Sequence, residues 1–90
     1  MKILHLTLKK KWFDQIAEGK KIVEYREVKP YWNKRLKGKK FDEIYFRNGY
    51  SSSAPFMKVE CKGINIRKVQ ILNDKPYYCI ALGKVLELKQ

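Results

Sequence analysis

Leu4, Leu6 and Leu8 alternate with Ile3, His5 and Thr7, so Ile3 to Leu8 reads as a β-strand with one apolar face. The period then changes. Trp12, Phe13, Ile16 and Ala17 recur at helical spacing, which predicts a short helix from Lys10 to Glu18, with Gly19 just past its end. Ile22 to Val28 is rich in β-formers and predicts a second strand. Pro30 suits the first position of a second helix, in which Trp32 and Leu36 are four apart and Gly38 closes the run. From Glu43 to Asn48 the alternation returns, with Ile44 and Phe46 inward and Tyr45 and Arg47 outward. Asn48 to Pro55 is a loop by composition. A fourth strand starts at Phe56 and puts Met57, Val59 and Cys61 on one face. Beyond Gly63 the apolar parity passes to Ile64 and Ile66, which predicts a bulge or bend near Gly63. Asn73-Asp74-Lys75-Pro76 predicts a turn, and Tyr78, Ile80, Leu82, Leu86 and Leu88 share one parity in a long last strand bent at Gly83.

The expected order is therefore β-α-β-α-β-β-β, an α+β fold. Long strands that bend at glycine favour a curled or closed barrel over a flat sheet. No linker, repeat or low-complexity tract interrupts the pattern, so residues 1–90 are expected to form one domain. No apolar run approaches the roughly 18 residues of a membrane span. The alternating N-terminus reads as a strand and not as the continuous apolar block of a signal peptide. A cytoplasmic monomer without a membrane partner is expected.

Charge changes this picture. Twenty-one Lys and Arg face nine Asp and Glu, for a net charge of +12. A field of that size attracts polyanions and speeds their association, which makes RNA or a nucleotide-like ligand the expected partner. Arg occurs only at 26, 35, 47 and 67. Guanidinium groups read planar groups in a way that lysine does not, so the arginines are the better site candidates. Cys61 and Cys79 lack metal-ligand spacing, and a single His cannot complete a Cys/His zinc site. Two free, buried thiols are expected. No Gly-rich phosphate loop or nucleophile elbow is present, and neither a metal nor another cofactor is expected.

Two segments concentrate chemistry. Lys21, Glu24 and Arg26 stand within six positions at a helix-to-strand junction. Strand alternation puts Glu24 and Arg26 on one face. Lys21 has the opposite parity, but at a junction it can curl toward Glu24, leaving a carboxylate between two cations. A plain surface ladder of ion pairs is the alternative. The second segment, Tyr45-Phe46-Arg47-Asn48-Gly49-Tyr50-Ser51, mixes rings, a cation and an amide beside a polar loop. Bases stack on such rings and guanidinium planes, and amides read base edges. His5 and Thr7, two apart on the first strand, are candidates for a shared pocket wall, with His5 a possible general base.

The run Leu4-His5-Leu6-Thr7-Leu8-Lys9-Lys10-Lys11-Trp12-Phe13-Asp14, followed by Gly19, Lys21, Glu24 and Arg26 in a Gly-x-Lys-x-x-Glu-x-Arg signature, resembles the ASCH domain family of the PUA-like superfamily. The resemblance spans essentially the whole chain. It implies a five-stranded, mostly antiparallel β-barrel with two short helices, and a basic cleft beside the first helix lined by the signature residues. It also implies RNA binding. Some relatives are hydrolases that cleave RNA or deacetylate acetylated cytidine, and the lysine essential to the deacetylating ones maps to Lys21. Those hydrolases carry a threonine where this chain has Glu24, and a further carboxylate in a helical segment that this chain lacks. The expected function is therefore binding of RNA or a nucleotide-like ligand by Lys21, Glu24, Arg26, Tyr45, Arg47, Asn48, Tyr50, His5 and Thr7. The alternative is hydrolysis of RNA or a modified nucleoside, with Lys21 as nucleophile or base and Glu24 as proton shuttle.

Overall fold

A computed structural model describes residues 1–90. Five strands and two helices follow in the expected order: β1 (Ile3–Thr7), α1 (Lys10–Ala17), β2 (Val23–Glu27), α2 (Pro30–Leu36), β3 (Glu43–Arg47), β4 (Phe56–Val69) and β5 (Lys75–Lys89). A single 3-10 turn, Gln70–Leu72, joins the last two. The strands form one sheet in the order β1-β3-β4-β5-β2. β1 runs parallel to β3, and every other pairing is antiparallel. β1 and β2 are edges that do not pair with each other, so the sheet is a curled half-barrel and not a closed barrel.

The inner face carries the core. Leu4, Leu6, Ile44, Phe46, Met57, Val59, Tyr78, Ile80 and Leu82 come from the strands, and Phe13, Ile16 and Leu36 from the helices that cover them. Each fully buried side chain of this size contributes about 1.5–3 kcal/mol from removal of apolar surface. Glu24 is the one charged residue buried among them, at 6% exposure.

β4 and β5 pair along nearly their whole length, with register shifts between Lys58 and Gly63. The bulge read from the parity change is there, and Gly63 takes φ +145, a conformation that side chains disfavour. The predicted inward set is only partly realised. Ile64 packs against the core, but Ile66 is half exposed, as are Leu86 and Leu88. β2 covers β5 only from Tyr77 to Ala81, so the C-terminal half of β5 has a neighbour on one side alone. The predicted turn also begins earlier than expected. The reversal uses the 3-10 turn plus Asn73 and Asp74 at φ 67 and 56, while Lys75 and Pro76 already pair with β4. Both cysteines are free but half-buried, and not fully buried as expected. No helix is long and apolar enough to cross a membrane.

Candidate functional site

Helix α1 ends in a way that places Lys21. Gly19, at φ +79, donates its N–H to the Ile16 carbonyl at 3.0 Å, and Lys20 donates to the Gln15 carbonyl at 2.9 Å. This is the two-bond C-terminal closure that a left-handed residue permits. Lys21 N–H reaches the same Gln15 oxygen at 3.1 Å, so the chain is folded back before β2 begins. The side chain of Lys21 thereby escapes strand parity. Its Nζ lies 3.5 Å from Glu24 Oε1 and makes no hydrogen bond within the protein.

Arg26 closes the other side of the same carboxylate. Its Nε and Nη2 donate to Glu24 Oε2 at 3.0 and 2.7 Å, and Nη2 also reaches the Thr7 carbonyl at 3.4 Å. Rings stand at both ends of this row. Lys21 Nζ is 5.0 Å from the Trp12 ring centre and 5.1 Å from that of Tyr25. Arg26 Cζ is 4.9 Å from the ring centre of Trp32. The result is a ring–cation–carboxylate–cation–ring sequence drawn from α1, the α1–β2 turn, β2 and α2. It lines a cleft of about 690 Å³ that Leu72 and Tyr77 close from the β4–β5 end.

The side chains of Lys21, Glu24 and Arg26 are 15%, 8% and 18% exposed. Partial burial removes much of the solvent screening that makes surface pairs worth little, so this is not the surface ladder weighed above. Glu24 Oε2 accepts both Arg26 bonds, while Oε1 faces the Lys21 ammonium at 3.5 Å without a hydrogen bond. Arg26 Nη1 and the Lys21 ammonium have donors that no protein group accepts. Electrostatically, the site is a fixed carboxylate holding two cations toward an open cleft.

Of the other candidates, Thr7 lines the cleft, whereas His5, Tyr45 and Arg47 lie on the opposite, outer face of the sheet. There His5 and Tyr45 meet edge to face with centroids 5.2 Å apart, Tyr45 meets Phe56 at 5.3 Å, and Arg47 Cζ lies 5.6 Å from the Phe56 ring centre. Lys58 joins this cluster 5.2 Å from the Tyr45 ring, and its bonds to Glu87 and Tyr45 raise its pKa above the ordinary lysine value. His5 and Thr7 therefore do not form one pocket wall. Asn48 is held in the β3–β4 connection through its backbone, its N–H bonded to the Pro55 carbonyl at 3.0 Å, and Tyr50 projects into solvent at 93% exposure. Alternation along β3 turns Arg47 and Tyr45 outward because Ile44 and Phe46 face in.

Trp12 is the cleft residue that periodicity hid. Helical spacing groups it with Phe13, Ile16 and Ala17, yet it is 38% exposed while Phe13 and Ile16 are buried. An apolar stripe at i, i+3 and i+4 is already complete without it, and that surplus was the available signal. Trp32 packs partly on the core, as a helix anchor should, and also presents its ring to Arg26.

No group of three or more His, Cys, Asp or Glu side chains stands close enough together to hold a metal ion. Comparison of the chain with family models, with curated proteins and with solved structures finds no match.

Proposed function

We propose that the protein is an ASCH-like module of the PUA-like class that binds RNA or a nucleotide-like ligand in the cleft beside α1. One observation carries the reading: a buried carboxylate, Glu24, clamped between Lys21 and Arg26 with Trp12 and Trp32 at the two ends. Stability does not account for it. A buried ion cluster is commonly no more stable than apolar residues of the same volume, because each charge must be stripped of water. What the cluster does supply is orientation. Glu24 fixes two cations so that their remaining donors face the cleft, where phosphate oxygens or base carbonyls accept them. The rings offer stacking surfaces of the kind single-stranded RNA uses. The signature residues Gly19, Lys21, Glu24 and Arg26 and the net charge of +12 support the same reading.

Binding is favoured over hydrolysis for a geometric reason. A proton shuttle must be free to turn toward its substrate, whereas Glu24 is held by two Arg26 bonds to Oε2, with the Lys21 ammonium 3.5 Å from Oε1. Titration of short single-stranded RNAs at two salt concentrations tests the proposal. Wild type should bind, with affinity falling steeply as salt rises. Trp12→Ala and Arg26→Ala should each weaken binding by about ten- to a hundredfold, the range for loss of one stacked base or one charged contact. Absence of binding at low salt would refute the reading. Lys21-dependent cleavage of RNA or deacetylation of acetylated cytidine in the same incubations would transfer it to the hydrolytic alternative.

A further inference from the structure

A second and slightly larger cleft, about 760 Å³, lies between the α2–β3 connection and the bulged part of β4. Its floor is apolar, from Phe41 and Ile64. Its rim is cationic: Lys37, Lys39 and Lys40 come from the connection and Lys62 from the bulge. All four lysines are exposed, and none belongs to an ion pair. That sets them apart from Lys10, Lys20, Lys21, Lys29 and Lys58, each of which has a carboxylate within 4.0 Å. No carboxylate lines this cleft. The aromatic cluster on the outer sheet face has similar ring chemistry, but Glu43, Glu60 and Glu87 share that face with it.

The two clefts share no lining residue but draw on the same two elements, α2 and β5. Trp32 lines the first and Leu36 the second, four residues apart on α2, which is about 6 Å along the helix axis. Neighbouring Tyr77 and Tyr78 of β5 likewise divide between them. Four unpaired ammonium groups over an apolar floor match a phosphodiester strand, whose charges the rim neutralises while a base or sugar covers Phe41 and Ile64. Lysine suits this role because phosphate needs a point charge and no planar fork.

We infer that the lysine-rimmed cleft holds the continuation of a single RNA strand whose first nucleotide occupies the cleft of Lys21, Glu24 and Arg26. The inference rests on the binding proposed for that first cleft. It makes the ligand a strand of several nucleotides and not a free nucleotide.

The test compares a dinucleotide with a ten-residue oligouridine, both labelled, at two salt concentrations. The variant is Lys37→Gln/Lys39→Gln/Lys40→Gln/Lys62→Gln. A control variant of equal charge replaces Lys68, Lys75, Lys84 and Lys89, which are exposed and line neither cleft. The rim variant should bind the dinucleotide as wild type does, yet lose about tenfold or more in affinity for the decamer. Its salt slope should fall by about 2–3, as expected for up to four lost single-strand phosphate contacts. The control should keep most of the wild-type affinity and slope. Equal losses in rim and control variants would overturn the inference, since net charge alone would then explain them. So would an unchanged rim variant, and if Arg26→Ala still lost binding, the first-cleft reading would survive. Decamer binding that is lost in the rim variant but indifferent to Arg26→Ala and Trp12→Ala would keep the second site and remove the first.

Discussion

Arg26 donates twice to a single oxygen of Glu24, from Nε at 3.0 Å and from Nη2 at 2.7 Å. The two residues are neighbours on one face of β2, so strand alternation alone brings them together. The second oxygen is left to Lys21, which reaches it only because α1 ends in a glycine closure and the chain doubles back. A local backbone device therefore sets the charge arrangement of the cleft.

Glu24→Ala should cost about 3 kcal/mol, because it strands two partly buried cations without their counter-charge. For a domain of this size that is a fall of about 12–24 °C in Tm. The triple variant Lys21→Met/Glu24→Leu/Arg26→Met should recover most of the lost stability, since apolar residues of similar volume replace the whole cluster. It should also lose nucleotide binding completely. Urea unfolding followed by binding measurements checks both halves. A triple variant as unstable as Glu24→Ala would show that the cluster stabilises the fold in its own right.

Much of this was legible in the sequence, and what was not has identifiable causes. The alternation in β1 and β3 and the helical spacing of Phe13 and Ile16 located three elements to within a residue or two at each end. The Glu24–Arg26 pairing follows from parity. Arg47 and Tyr45, in contrast, were set beside the signature residues on chemistry alone, although alternation already had them outward. Which strands become edges is a long-range matter, decided by β5 inserting between β4 and β2. Nothing local marks it, so the strand pattern leaves a curled and a closed barrel equally open, and the sheet takes the curled form. Leu86 and Leu88 carry the right parity for a core that ends before them.

Gly83 is crowded by a side chain. A methyl group added there would overlap the Glu60 side chain, which lies across it, with Glu60 Oε1 also accepting the Lys84 N–H at 3.4 Å. Glu60 pairs with no lysine, since Lys58 beside it pairs with Glu87 at 3.3 Å. Gly83→Ala should destabilise by less than about 1 kcal/mol, since the exposed Glu60 carboxylate can swing aside at the loss of one surface hydrogen bond. Because the obstacle is a side chain and not backbone, Glu60→Ala/Gly83→Ala should restore most of the loss. Additive effects of the two substitutions in thermal unfolding would contradict this coupling.

Tyr78 ties α2 to the sheet, its buried hydroxyl donating to Asn33 Oδ1 at 2.5 Å. The two ends of this bond should respond differently. Tyr78→Phe removes the hydroxyl and should cost about 1 kcal/mol, whereas Asn33→Ala leaves it buried without a partner and should cost about 1–3 kcal/mol. The double variant should then be more stable than Asn33→Ala alone. Unfolding midpoints in urea decide it, and a double variant less stable than either single one would disprove the pairing.

Alkaline pH should weaken the fold through the two thiols. Burial pushes the Cys61 thiol above its ordinary value, with nearby Asp42 adding to the effect and the Gly63 backbone opposing it. Burial does the same for Cys79, against the pull of Arg67. A raised pKa means that the folded chain holds thiol protons which the unfolded chain has already released. Below the ordinary thiol range, near about 8.5, this contribution to stability is fully present. It declines as pH rises through the higher folded-state values, since stability falls with pH wherever the native state binds more protons. Lysines and tyrosines titrate in the same region, so the measurement is a difference. Unfolding free energy of wild type should drop more between pH 8 and pH 10 than that of Cys61→Ala/Cys79→Ala. Iodoacetamide at pH 8 should also label the folded protein more slowly than the urea-unfolded chain, because the thiolate is the reactive form. Parallel pH profiles for the two proteins, with equal labelling rates, would show that neither thiol is desolvated in the native state.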